Sequence, residues 1–102
     1  MEERRRSSRR TIEGEFASVR AALNVRVLDI SVAGVLLQSS HPIEEGSRGR
    51  LRLDLGGSSF SADVRVQRVV PAPDSRPGCR VGATFIELPL ESRHLIERFM
   101  TQ

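Results

Sequence analysis

Residues 48–55 read Arg-Gly-Arg-Leu-Arg-Leu-Asp-Leu, and this alternation constrains the chain more than any other feature. Gly49, Leu51, Leu53 and Leu55 fall on one side and Arg50, Arg52 and Asp54 on the other, a period of two that belongs to a strand with one buried face. The Gly56-Gly57-Ser58-Ser59 link reads as a turn. Phe60, Ala62, Val64 and Val66 then alternate with Ser61, Asp63, Arg65 and Gln67, so the two runs should pair as a hairpin. The phase breaks at Arg68-Val69-Val70, as a bulge makes it.

The same pattern recurs on both sides of this hairpin. Cys79, Val81, Ala83 and Phe85 alternate, and Val25 to Ile30 and Val35 to Ser39 form two short strands around Ser31 to Gly34. Gly14 to Arg20 supplies a sixth strand at the start. Between Pro71 and Gly78, three prolines and a glycine exclude both helix and central strand, which leaves an exposed loop. After Leu88-Pro89 the period changes. Leu95, Ile96, Phe99 and Met100 recur at helical spacing opposite Glu91, Arg93, Glu97 and Arg98, which predicts a helix over about 89–100 with Pro89 in its first turn. Such a helix is too short to stand alone and should cover an open end or face of the strands.

A chain of 102 residues supports one domain with a modest core. The expected architecture is all-β with a terminal helix: a six-stranded antiparallel barrel over residues 13–102 closed by one C-terminal α-helix. Leu51, Leu53, Val64, Val66, Val81 and Phe85 should be buried, with Leu95, Ile96 and Phe99 against them. Residues 1–12 offer Arg, Glu, Ser and Thr with almost nothing to bury and read as a flexible arm.

Charge is concentrated in that arm. Residues 1–10 hold five arginines and two glutamates, and the remainder holds eleven groups of each sign, so the whole net charge of +3 sits at the N-terminal tip. A uniformly basic nucleic-acid coat is disfavoured and a local anion-seeking segment is favoured. All sixteen basic residues are Arg, each a flat five-donor fork suited to phosphates and guanine edges. The single Cys79 rules out an internal disulfide and a multi-cysteine zinc module, and a reducing cytoplasm is the expected location. No apolar run approaches a membrane span or a signal peptide.

Nothing in the chain points to catalysis. His41, His94 and Cys79 show no metal-ligand spacing, and Glu44 and Glu45 are adjacent in a loop, a setting for solvation rather than acid and base work. No glycine-rich loop leads into a helix. A non-enzymatic domain without metal or cofactor is the expectation.

Two segments carry the functional reading. Arg4-Arg5-Arg6-Ser7-Ser8-Arg9-Arg10 contains Arg-x-x-x-Arg twice, as Arg5 with Arg9 and Arg6 with Arg10. Asp29-Ile30-Ser31-Val32-Ala33-Gly34 places a carboxylate, a hydroxyl and a glycine in the link between two strands. The plainer reading of the first is a solvated or nucleic-acid-contacting tail. That of the second is a turn in which Asp and Ser bond nearby backbone and Gly supplies a positive φ. Taken together, the groups match a guanine nucleotide. Its N1–H and exocyclic amine are paired donors for a carboxylate such as Asp29, its O6 and N7 are paired acceptors for an Arg fork, and phosphates take further forks. Gly34 lets the backbone come close.

RRRSSR at 4–9 followed by DISVAG at 29–34, with short strands, the Arg80-Val81-Gly82-Ala83-Thr84-Phe85 segment and a terminal helix, resembles the PilZ domain family over essentially the whole chain. The resemblance implies a PilZ-type β-barrel that binds cyclic di-GMP and is not an enzyme. Arg5 and Arg9 would be the motif arginines and Arg6 a helper, with Asp29, Ser31 and Gly34 on the barrel side. Arg4 precedes the motif where the family tends to use Arg when a stacked ligand pair is bound, and Arg10 keeps the second register open. The implied output is a surface offered to a protein partner. The competing readings are a small β-barrel that carries its arginines to RNA or DNA, and a structural adaptor without nucleotide affinity.

Overall fold

The structure is a computed structural model that describes residues 12–18, 21–73 and 78–101. Six strands follow one another, β1 (Ile12–Ala17), β2 (Ala22–Ile30), β3 (Gly34–Ser39), β4 (Arg48–Leu55), β5 (Ser58–Pro71) and β6 (Cys79–Glu87), and α1 (Leu90–Met100) ends the chain. They close a barrel in the order β1-β2-β3-β6-β5-β4, with every neighbouring pair antiparallel. The expected all-β barrel with a terminal helix is therefore the observed fold.

The β4–β5 hairpin is tighter than the sequence suggests. Leu55 pairs with Ser58, so the turn is Gly56-Gly57 alone, both at positive φ, 62° and 90°. Two consecutive left-handed residues suit the right-handed twist of a hairpin and are accessible to glycine at little cost. Asp54 Oδ1 accepts from Gly57 N at 3.0 Å and fixes the turn. The first strand lies earlier than the expected Gly14 to Arg20, because its pairing with β2 starts at Ile12 opposite Val27 and ends at Ala17 opposite Ala22. Ile12 thus belongs to the barrel, and residues 1–11 lie outside the described residues.

Inward side chains fill the barrel. Leu37, Leu51, Val64 and Val81 are fully buried, with Leu53, Val66, Phe16 and Val25 nearly so. Phe85, Leu95 and Phe99, expected in the core, are only partly buried and pack against it. Phe85 sits where β6 slips register against β5, since Val64 pairs with Phe85 but Asp63 pairs with Glu87. Leu95 and Phe99 flank Ile96, the apolar side chain of α1 that is completely enclosed. Met100, at the end of the apolar stripe, stays exposed. The helix begins at Leu90, with Pro89 at the N-cap rather than in the first turn, and lies against β4 and β5. His41 and His94 are exposed, and Cys79 is a buried free thiol.

Leu51→Ala should cost about 3 kcal/mol, the usual range for emptying a fully enclosed leucine site. The midpoint of chemical denaturation of the unliganded chain measures it.

Candidate functional site

β2 would aim Asp29 into the core if its alternation ran unbroken, because Val25 and Val27 both point inward. The ladder instead shifts register between Val27 and Asp29, leaving Leu28 without a partner on β3. This bulge reverses the phase, so Asp29 is exposed and Ile30 takes the buried place. An extra residue in one strand re-aims every side chain beyond it.

The link from β2 to β3 is short and internally bonded. Ser31 N donates to Gly34 O at 2.9 Å, Ser31 Oγ accepts from Ala33 N at 3.2 Å, and Asp29 Oδ1 accepts from Ile30 N at 3.0 Å. A carboxylate offers about four lone-pair directions, so Asp29 keeps most of its acceptor capacity facing outward. Ser31 uses its hydroxyl as an acceptor and retains a proton to donate. The link is also tied to β6, since Phe85 N donates to Ala33 O at 3.3 Å.

Gly34 does not sit at positive φ, so the turn does not require it for that reason. Its role is close approach. A Cβ there would stand 2.4 Å from Ala83 O and 3.3 Å from Thr84 Cα, so β6 can pair with β3 at this point only because residue 34 has no side chain.

These groups border one open hollow of about 250 Å³, lined by Asp29, Ser31, Ala33, Gly34, Leu36 and Thr84 among others. The three barrel residues singled out in the sequence are thus brought together. Thr84 and Leu36 were not among them. The alternation of β6 turns Thr84 outward, but only the Gly34–Thr84 pairing places it at the hollow. Arg4, Arg5, Arg6, Arg9 and Arg10 lie outside the described residues. A larger open depression of about 400 Å³ beside Arg48, Arg50 and Asp63 contains none of the candidate residues, and Arg50 there pairs with Asp63 at 3.3 Å.

Among the described residues no cluster of three His, Cys, Asp or Glu side chains could hold a metal ion. No described helix is long and apolar enough to cross a membrane.

The family model for the PilZ domain matches residues 3–102. Among solved structures, the PilZ domain of YcgR from Escherichia coli with c-di-GMP superposes with a TM-score of 0.75 at 14% identity, over 91% of this chain and 81% of that one. YcgR from the same organism in complex with c-di-GMP gives 0.74 at 15% identity, over 89% of this chain and 40% of that one. At such identities the likeness to these structures concerns the fold. No curated protein sequence matches the chain.

Proposed function

The chain belongs to the PilZ domain family, and on that footing we propose that it is a receptor for cyclic di-GMP, not an enzyme, which passes the signal to a protein partner. The observation that carries the reading is the outward-turned Asp29 beside Ser31 on the rim of an open hollow. Two solved structures of the same fold carry c-di-GMP by name.

In this reading Asp29 accepts from the N1–H and exocyclic amine of one guanine, two parallel donors that a carboxylate meets side by side. Ser31 donates its free proton to a ligand oxygen. The described lining of the hollow offers a carboxylate and hydroxyls but no cation, so the two phosphates need arginines from elsewhere. Arg5 and Arg9 are proposed to take them, or the guanine O6 and N7, with Arg6 as a helper, Arg4 ahead of the motif for a stacked second ligand, and Arg6 with Arg10 as the alternative register. The segment before Ile12 would close over the ligand once its repulsive charges are neutralised, a ligand-driven ordering step. That ordering has an entropic cost, so affinity is expected to be moderate and sensitive to salt.

Calorimetric titration of the purified chain with cyclic di-GMP, run beside GTP and a short single-stranded oligonucleotide, tests the proposal. Saturable heat with cyclic di-GMP alone is the expected result. Arg5→Ala and Arg9→Ala should each weaken binding at least about tenfold through loss of a charge-assisted fork, with the melting temperature of the unliganded chain unchanged. Heat from the oligonucleotide alone would replace the receptor by a nucleic-acid module, and silence from all three would replace it by a nucleotide-independent adaptor.

A further inference from the structure

The β5 strand repeats what β2 does at Asp29. Val64 and Val66 point into the core, and an unbroken alternation would send Arg68 after them. The β5–β6 ladder shifts register between Val66 and Arg68, which leaves Gln67 without an opposite residue on β6 and both Gln67 and Arg68 exposed. Two bulges thus reverse the phase of two strands, one bringing out a carboxylate and the other a guanidinium.

The ladders place these two groups in one row. Asp29 pairs with Leu36, Leu36 with Gly82, and Gly82 with Arg68. At a strand spacing of about 4.8 Å this row runs roughly 14 Å around the barrel wall. Its middle is bare. Gly82 has no positive φ, and a Cβ built on it would meet only Arg68 Cβ, at 3.9 Å. The fold gives no reason for a glycine here, and a glycine inside a strand then marks the close approach of something else.

The β5 bulge is also fastened to the hollow. Gln67 Nε2 donates to Thr84 Oγ1 at 3.0 Å, and Thr84 lines the hollow beside Gly34. Arg68 has no carboxylate partner among the described residues. Arg48, Arg65 and Arg80 have none either, whereas Arg26, Arg50 and Arg52 pair with Glu13, Asp63 and Glu15 at 3.7, 3.3 and 3.9 Å; what sets Arg68 apart is its place beside Gly82 in the row that begins at Asp29. The Glu45 carboxylate accepts from Val69 N at 3.1 Å on the same bulge but makes no ion pair with Arg68, and a fork without a described carboxylate partner, one strand from Gly82, is placed to receive an anion.

We propose that the β5 bulge forms the far rim of the ligand site, with Arg68 reaching across Gly82 to a phosphate of the ligand and Gln67 holding the bulge against Thr84. The proposal rests on the cyclic di-GMP reading and adds to it a cation from the barrel itself. Gln67 is a positioning residue.

Titrations of cyclic di-GMP at low and high salt, on wild type, Asp29→Ala, Arg68→Ala, Arg68→Lys, Gly82→Val and Arg52→Ala, decide the matter. Arg68→Ala is expected to weaken binding about tenfold at low salt and to approach wild type as salt rises, whereas Arg68→Lys keeps most of the affinity because a point charge satisfies a phosphate. Gly82→Val should weaken binding by obstructing the floor while its melting temperature stays at or above that of wild type. Arg52→Ala should bind as wild type does. Wild-type affinity in both Arg68→Ala and Gly82→Val, with Asp29→Ala still defective, overturns the far rim and leaves the receptor standing. Equal loss in Arg68→Ala and Arg68→Lys overturns the phosphate assignment in favour of a base edge. Absence of binding by the wild-type chain overturns the receptor and the rim together.

Discussion

Asp29→Ala is expected to weaken cyclic di-GMP binding by at least about a hundredfold while the unliganded barrel melts where the wild type does. Two guanine donors lose their acceptor, and hydrogen bonds to a charged group are worth about 1.5–3 kcal/mol each. At about 1.4 kcal/mol per factor of ten, the pair accounts for two decades or more. The fold gives up little, because Asp29 is exposed and its recorded intramolecular bond is the one from Ile30 N at 3.0 Å, an exchange with water that costs under about 1 kcal/mol. Asp29→Asn should fare hardly better. An amide keeps one acceptor but replaces the other with an NH2 donor that faces a guanine donor, so shape is preserved while the pairing is not. Titration and thermal melting on the same preparations check both statements. Binding by Asp29→Ala equal to that of wild type would remove the carboxylate from the site.

The bulge in β2 explains why Asp29 is available at all, and it also shows where the sequence stops being legible. Alternation located five strands and only overlapped the first, expected at Gly14 to Arg20 and found at Ile12–Ala17; it is cleanest in β4, where each buried side chain follows a period of two. In β5 the break in phase was visible, because Arg68 fell on the apolar side and a charge there had to turn out. In β2 the same device was hidden. Asp29 and Ile30 close the expected strand Val25 to Ile30 and are paired to β3, but nothing in that run marks Leu28 as the residue the ladder skips. Local patterns mark which residues differ from their neighbours, but which strand lies beside them is a property of closure. Thr84 became part of the hollow only through its pairing with Gly34, and Gly82 gained meaning only between Leu36 and Arg68. The Arg-x-x-x-Arg segment lies outside the described residues, and its two registers remain a matter for the Arg5 and Arg9 variants.

Gly34→Ala tests a different property of the same rim. The new methyl would stand 2.4 Å from Ala83 O, and its obstacle is strand backbone, which cannot rotate away as a side-chain tip can. β3 and β6 would have to part where they pair at Gly34–Thr84. Overpacking of this kind costs about 3 kcal/mol, which in a chain of 102 residues lowers the melting temperature by more than about 10 °C. Gly82→Ala supplies the contrast. It places the same methyl on the adjacent strand with nothing nearer than Arg68 Cβ at 3.9 Å, and the loss of unfolded-state freedom should leave the barrel equal or slightly more stable. An unchanged melting temperature for Gly34→Ala would return the glycine to a role in ligand approach alone. With the expected loss, any weakening of cyclic di-GMP binding in this variant follows from displacement of Thr84 and the β6 wall. Asp29 and Gly34 then contribute to one site by unlike means, the first through the acceptor it presents and the second through the strand it allows to come close.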